Sequence, residues 1–330
     1  MFTGCSTSTS GGNTTSSEAT KQGGEKIKLI AAHVLAPSHP YQAGFEKMAE
    51  IVKAKTNGQI EIEIHANAEL GEEEQTIEGL QMGTIDITTV SAAALTGFVK
   101  EYMACDLPFT FATPEEAYKF YDGPIGIELF QKTESTGIVG LAWWENGFRD
   151  FTNNIRPISV PADMKGMKIR TMKSPVHMAS VRAIGADAVP VSFGELYSAL
   201  QQNVVDGQEN PVANIHANRF YEVQKYVTIS RHFYDPSPTF ISKKTWDKLN
   251  AEQKKILLDA SIEARDYMRK VANEQEAGLV EDLKKNGMTV TTLTTDQVKA
   301  FQDITKDVYK EFESQIGKEF LDKFYKAAGR

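Results

Sequence analysis

Two arginines fall where the sequence pattern puts β-strands, and a strand interior is a costly place to leave a charge. Arg149 lies in Glu145-Asn146-Gly147-Phe148-Arg149-Asp150-Phe151-Thr152-Asn153, and Arg170 lies in the core-like run Met167-Lys168-Ile169-Arg170-Thr171-Met172. A guanidinium presents a rigid fork that matches a carboxylate bidentately, which lysine cannot reproduce. Once buried it needs a partner. That partner is either an Asp or Glu of the chain itself or an organic anion entering a cleft, and both readings are open for each arginine. The densest polar run is Asp206-Gly207-Gln208-Glu209-Asn210-Pro211, at a predicted strand end. Asn210 precedes a proline and is biased away from αR. Its amide can project into a cleft where a helix begins, or cap that helix locally. Phe193, in Ser192-Phe193-Gly194, reads as core or as the rim of a cleft. Trp143-Trp144 reads as strand core, with one ring able to face a cleft.

Other chemistries are missing from the pattern. The histidines, at positions 33, 39, 65, 177, 216 and 232, show no i,i+3 or i,i+4 spacing, so no metal site is expected. There is no P-loop, no G-x-G-x-x-G opening a helix after a strand, and no G-x-S-x-G elbow, so no cofactor is expected. Glu72–Glu74 reads as a solvated helix start favoured by the helix dipole. No constellation supplies both a nucleophile and its base, which points to binding and not to catalysis. The balance of 36 Lys+Arg against 44 Asp+Glu gives a net charge of −8, unlike the basic footprint of a nucleic-acid binder. No run approaches the roughly 18–20 apolar residues that span a bilayer. Leu29 to Ala36, the longest apolar run near the start, already contains His33. Two cysteines cannot staple a disulfide scaffold, and Cys105 reads as a small buried hydrophobe.

The elements that would position these residues form two similar units. Lys26–Val34 is a predicted strand, and Ser38–Thr56 a helix with Ser38 as N-cap and Asn57-Gly58 as its stop. Gln59–His65 alternates strictly as a half-buried strand, Glu72–Met82 is helical, Thr84–Val90 is a strand, and Gly137–Trp144 is a further buried strand. After Pro161 the order repeats: strand Met167–Met172, helix Pro175–Ile184, strand Ala188–Val191, helix Phe193–Gln202, and a strand opening at Val204-Val205. Leu80-Gln81 followed by Asp86 matches Leu200-Gln201 followed by Asp206. β-α-β order predicts parallel pairing with helices on the sheet faces. Lys243–Leu249 is a short predicted helix, and Ala251–Asn286, without proline, makes one of about 54 Å at 1.5 Å per residue, long enough to run along both lobes. Met288–Leu293 is a strand and Thr295–Phe324 supplies closing helices. A chain crossing between lobes more than once makes a hinge, and ligand clefts favour such interfaces.

From Cys5 to Glu25, 14 of 21 residues are Ser, Thr or Gly, a composition that reads as a flexible tether. Phe2-Thr3-Gly4-Cys5 resembles the end of a lipoprotein signal, implying an upstream signal segment replaced by Met1 and acylation at Cys5. Such a lipid would be the only attachment to a membrane.

In combination, Asn146-Gly147-Phe148-Arg149, Pro161-Ala162-Asp163-Met164-Lys165-Gly166-Met167-Lys168-Ile169-Arg170, Asp206-Gly207-Gln208-Glu209-Asn210-Pro211 and Tyr221-Glu222-Val223-Gln224-Lys225 resemble the solute-binding subunits of TRAP (tripartite ATP-independent periplasmic) transporters, the DctP family. The resemblance covers Lys26 to the C-terminus. It implies an α/β, two-lobed, type II periplasmic-binding-protein-like fold with a long helix spanning both lobes. Lobe I would hold 26–146 and 236–275, and lobe II 147–235 and 276–330, behind an anchor and tether at 1–25. It implies that Arg170 forms the principal ion pair with a substrate carboxylate, Arg149 a second cationic contact, Asn210 an orienting amide and Phe193 a packing aromatic. His33 and Glu73 would meet the distal part of the ligand. Ser91 stands where sialate-binding members carry an acidic residue, which argues against sialic acid. His33, Glu73 and Trp144 suit hydroxyls, so a sugar acid such as a uronate is expected, with a C4-dicarboxylate as the alternative. The implied partners are membrane permease subunits, the location extracytoplasmic, and uptake driven by ion gradients. An ABC-type binding protein or an enzyme on a similar scaffold are the competing classes.

Overall fold

The computed structural model describes residues 26–329; Cys5 and the tether lie outside the described residues. The first unit comprises β1 (Ile27–Ala32), α1 (Pro40–Lys55), β2 (Ile60–His65), α2 (Glu73–Met82) and β3 (Ile87–Thr89). Short 3₁₀ turns, α3 (Pro114–Tyr121) and α4 (Pro124–Glu134) lead to β4 (Ile138–Asn153). The second unit comprises β5 (Lys168–Thr171), α5 (Pro175–Ile184), β6 (Asp187–Pro190), α6 (Phe193–Gln201) and β7 (Gly207–Pro211). α7 (Val212–Ala217), β8 (Tyr226–Ser242), α8 (Lys243–Trp246), α9 (Ala251–Lys285), β9 (Thr289–Thr292) and α10 (Thr295–Thr305) follow, then α11 (Glu313–Ile316) and α12 (Lys318–Ala327).

Both units pair in parallel, β1 between β2 and β3, and β5 between β6 and β7. Their repeated aspartates do the same work. Asp86 accepts the Ile30 N–H at 2.8 Å through Oδ2, and Asp206 accepts the Lys168 N–H at 2.8 Å through Oδ2. Each carboxylate thereby ties the strand after its helix to the first strand of its own unit, and the fold is two-lobed.

β4 and β8 join the lobes as long antiparallel partners, with register irregularities between Gly140 and Ala142, Glu145 and Gly147, and Arg149 and Phe151. β4 therefore runs well past the expected end at Trp144. β8 is absent from the sequence reading because Pro236 and Pro238 argue against an interior strand. Here they sit opposite Glu145 and Trp143, in a short run of regular register from Ala142 to Glu145 that is flanked by an irregularity on each side. The strand expected to open at Val204-Val205 begins at Gly207, so the polar run is itself the strand. α1 begins one residue later than expected: Pro40 takes the first helical position, where its missing N–H costs nothing, and His39, not Ser38, is the N-cap, accepting the Tyr41 N–H.

α9 is continuous over 35 residues, opened by a capping box between Asn250 and Gln253. Leu257, Ala264 and Met268 pack with Phe45 and Trp144, whereas Leu283 packs with Leu196 and Val227 of the other lobe. Gly44 on α1 permits this approach, since a Cβ there would stand 2.7 Å from the Trp144 ring. The C-terminal stretch does not stay with lobe II as expected. Phe301 packs with Phe151 and Ile169, but Phe312, Phe320 and Phe324 share a core with Tyr102, Phe120 and Leu129. Cys105 is buried there too, as a small apolar group. Among the described residues no helix is long and apolar enough to cross a membrane.

Candidate functional site

Two adjoining hollows of about 290 and 370 Å³ lie between the lobes and share Glu73, Arg170, Met172 and Phe193. Val34 and Leu35 follow β1, Ser91 follows β3, and Arg170 is near the end of β5, so the walls come from the carboxyl ends of parallel strands in both units. That is where ligands bind in open α/β sheets.

Arg170 is 2% exposed. Its Nε donates to the Val191 carbonyl at 2.8 Å, and its Nη1 is buried without a partner. Among the described residues no carboxylate forms an ion pair with it; burial lowers its pKa to about 10, against the pull of Glu209. A desolvated guanidinium without a counter-ion, facing a hollow, is a receptor for an anion.

Arg149 lines the same hollow and is fully buried, but it is already neutralised. It is ion-paired through Nε to Glu209, donates from Nη2 to Glu209 Oε1 at 2.9 Å and to its carbonyl at 2.7 Å, and from Nη1 to Asp235 at 2.7 Å. These acids outweigh desolvation and raise its pKa. Arg149 thereby braces β4 against β7 and β8 while lining the hollow.

Asn210 lines the hollow with its amide orientation imposed by neighbours. Asn214 Nδ2 donates to Asn210 Oδ1 at 3.2 Å, Asn210 Nδ2 to Gln208 at 2.5 Å, Gln208 Nε2 to Thr152 at 3.0 Å, and Thr152 Oγ1 to Gln224 at 2.8 Å. Every donor in this chain has one direction available, so Gln208 and Gln224 explain why both motifs are polar. Phe193 lines both hollows at the start of α6. Glu73 accepts the Ser91 N–H at 2.7 Å, and burial, reinforced by Asp235, pushes its pKa up to about 8. Ser91 donates its hydroxyl to Asp235 at 2.6 Å.

Two expected ligand contacts are not brought to the cavity. Trp144 is wholly buried, packed on Phe45 with rings 4.9 Å apart, and donates Nε1–H to the Ser261 carbonyl. His33 is buried, stacks on Phe45 and pairs with Gln42 at 3.0 Å, and does not line the hollow that Val34 and Leu35 help to form. Both are held by core packing on α1. Tyr41, Asn146, Met172 and Asn214 line the hollow and were not singled out. Asn146 stands in a quoted motif, which was the available signal.

Across the mouth the lobes touch directly. Lys173 Nζ is 3.0 Å from Glu74, and the Gly194 N–H donates to Glu72 at 3.0 Å. Among the described residues no group of His, Cys, Asp or Glu is placed to hold a metal ion.

A two-lobed frame around a guanidinium without a counter-ion is the architecture of a solute-binding protein. The chain belongs to the DctP family, bacterial extracellular solute-binding protein family 7, whose model matches residues 31–315. It is similar to the C4-dicarboxylate-binding periplasmic protein DctP of Rhodobacter capsulatus, 34% identical over 90% of each chain. A TRAP periplasmic solute-binding protein from Ochrobactrum anthropi, with its C-terminus bound in the ligand pocket, is 44% identical, with a TM-score of 0.84 over 92% of this chain and 95% of that one. The sugar acid binding protein DctPAm of Advenella mimigardefordensis, in complex with galactonate, is 32% identical, with a TM-score of 0.90 over 92% of this chain and 98% of that one.

Proposed function

We propose that this protein is the extracytoplasmic solute-binding subunit of a TRAP transporter and captures a small hydroxylated organic acid, a sugar acid such as a uronate, by closing its lobes on Arg170. The observation that carries this reading is the buried Arg170 guanidinium without a protein counter-ion in an interlobe hollow. The acid's carboxylate takes the place that a structural Asp or Glu would otherwise fill. Contacts made only when the lobes meet favour the closed state, as population shift requires. Closed protein then hands the acid to membrane permease subunits. Acylation at Cys5 and the tether would hold the protein near that permease.

A C4-dicarboxylate is the second reading, supported by the name of the Rhodobacter relative. A second carboxylate wants a second free cation. Arg149, the other buried cation on the hollow, is spent on Glu209 and Asp235. This pairing favours a monocarboxylate. A thermal-shift screen across uronates, aldonates, dicarboxylates and keto acids decides between them. Ligand at 100-fold over its Kd stabilises by about 2.7 kcal/mol. Sugar acids are expected to give the largest shift. A response confined to dicarboxylates overturns the sugar-acid reading, and no response to any carboxylate overturns the site.

A further inference from the structure

Asn146 occupies a special place in the hinge. On β4 its neighbours Glu145 and Gly147 pair with Pro236 and Asp235, consecutive residues of β8, so Asn146 is the extra residue of a bulge. Bulges re-aim a side chain out of the ladder. Gly147 follows at φ +118°, a conformation that residues with a Cβ rarely adopt, so the bulge is built into the backbone.

The side chain reaches the same hollow as Arg170. Asn146 Nδ2 donates to Asp235 Oδ2 at 2.9 Å. That carboxylate also takes Arg149 Nη1 on Oδ2 and the Ser91 hydroxyl on Oδ1. An ionised carboxylate only accepts, so the amide cannot be turned round: its carbonyl would then face an anion. Asn146 Oδ1 is therefore directed away from Asp235, and it is buried without a hydrogen-bond partner.

The hollow thus carries one orphan donor, Arg170 Nη1, and two orphan acceptors, Asn146 Oδ1 and Asn214 Oδ1. A carboxylate satisfies the donor. It cannot satisfy either carbonyl, because carboxylate and carbonyl oxygens both only accept. A ligand that pairs with both kinds of group needs an anionic end and a neutral O–H donor on the same small skeleton. We infer that Asn146 is a specificity-determining residue whose Oδ1 accepts a hydrogen bond from a hydroxyl of the organic acid held by Arg170. This rests on the assignment of Arg170 as the carboxylate receptor. It adds how the protein tells a hydroxy acid from its deoxy counterpart: the deoxy acid leaves the buried carbonyl unpaired, which is the strong form of discrimination.

The test is calorimetric titration of the whole protein with acids that differ by one hydroxyl: gluconate against 2-deoxygluconate and 3-deoxygluconate, and malate against succinate. The wild type is expected to bind the hydroxylated member of at least one pair about tenfold or more tightly. Asn146→Ala and the near-isosteric Asn146→Leu should bring that ratio close to one, while affinity for the deoxy acid stays within a few-fold. The ratio is a readout that general loosening of the hinge does not move selectively. A preference that survives in either folded variant, or a wild type that binds both members of every pair equally, overturns the inference. Arg170→Ala separates it from the reading beneath it. If that variant still binds these acids, the assignment of Arg170 falls; if it binds none while the Asn146 ratio is unchanged, only the role of Asn146 falls.

Discussion

Arg149 and Arg170 are the same side chain at the same depth, and the molecule uses them in opposite ways. Arg149 is gripped by Glu209 and Asp235 and has its pKa raised; Arg170 has one backbone carbonyl and a pKa lowered to about 10. The difference teaches that burial alone does not define a binding arginine. A neutralised guanidinium stabilises the native state, because removing it would strand two buried acids. An unpaired one burdens the empty protein, and a ligand that pairs with it gains affinity from that burden.

Substitution of each should therefore separate stability from binding. The largest effect is expected for Arg149→Met, which leaves Glu209 and Asp235 buried and unpaired and should cost about 3–5 kcal/mol in urea unfolding. Arg170→Met should do the reverse. Ligand affinity should fall by about a hundredfold or more, while the unliganded protein becomes as stable as the wild type or about 1–4 kcal/mol more stable. If Arg170→Met destabilises as much as Arg149→Met, the contrast is wrong. Arg170→Lys keeps the charge and loses the fork, so affinity should drop about tenfold or more in the same titration; unchanged affinity would count against a bidentate role.

Glu73 sharpens the comparison through pH. Its pKa is raised to about 8 by burial and by Asp235, against the Ser91 N–H and Arg149. A carboxyl raised in this way contributes stability that is full below its ordinary range and is lost as pH rises through about 8. Glu73→Gln removes that loss, so its melting temperature should gain on the wild type between about pH 5 and 8 and level off above. A pH-independent gap would show that Glu73 ionises normally. The smallest effect belongs to the mouth. A Cβ on residue 194 would stand 2.3 Å from Glu72 Oε1, so Gly194→Ala should displace that carboxylate and open the interlobe contact. Ligand release in stopped flow should quicken a few-fold, with the Arg170 hydrogen bonds untouched.

Much of the architecture is legible locally. Alternation in Gln59–His65, the proline-free run of α9 and the matched Asp86 and Asp206 are patterns over a few neighbouring residues, and each found its element. Those patterns also put Arg170 on a strand that opens toward a cleft. What they could not reach was set by pairing between distant strands. Glu209 is 60 residues from Arg149 and Asp235 is 86, and they meet it only because β7 and β8 flank β4. The same holds for β8, whose prolines pair in a short regular run between two irregularities of the ladder, and for Trp144 and His33, drawn into the core by α1. Short-range periodicity reports which face of an element is apolar. Which charge finds a counter-charge depends on neighbours in space, and only the folded chain decides those.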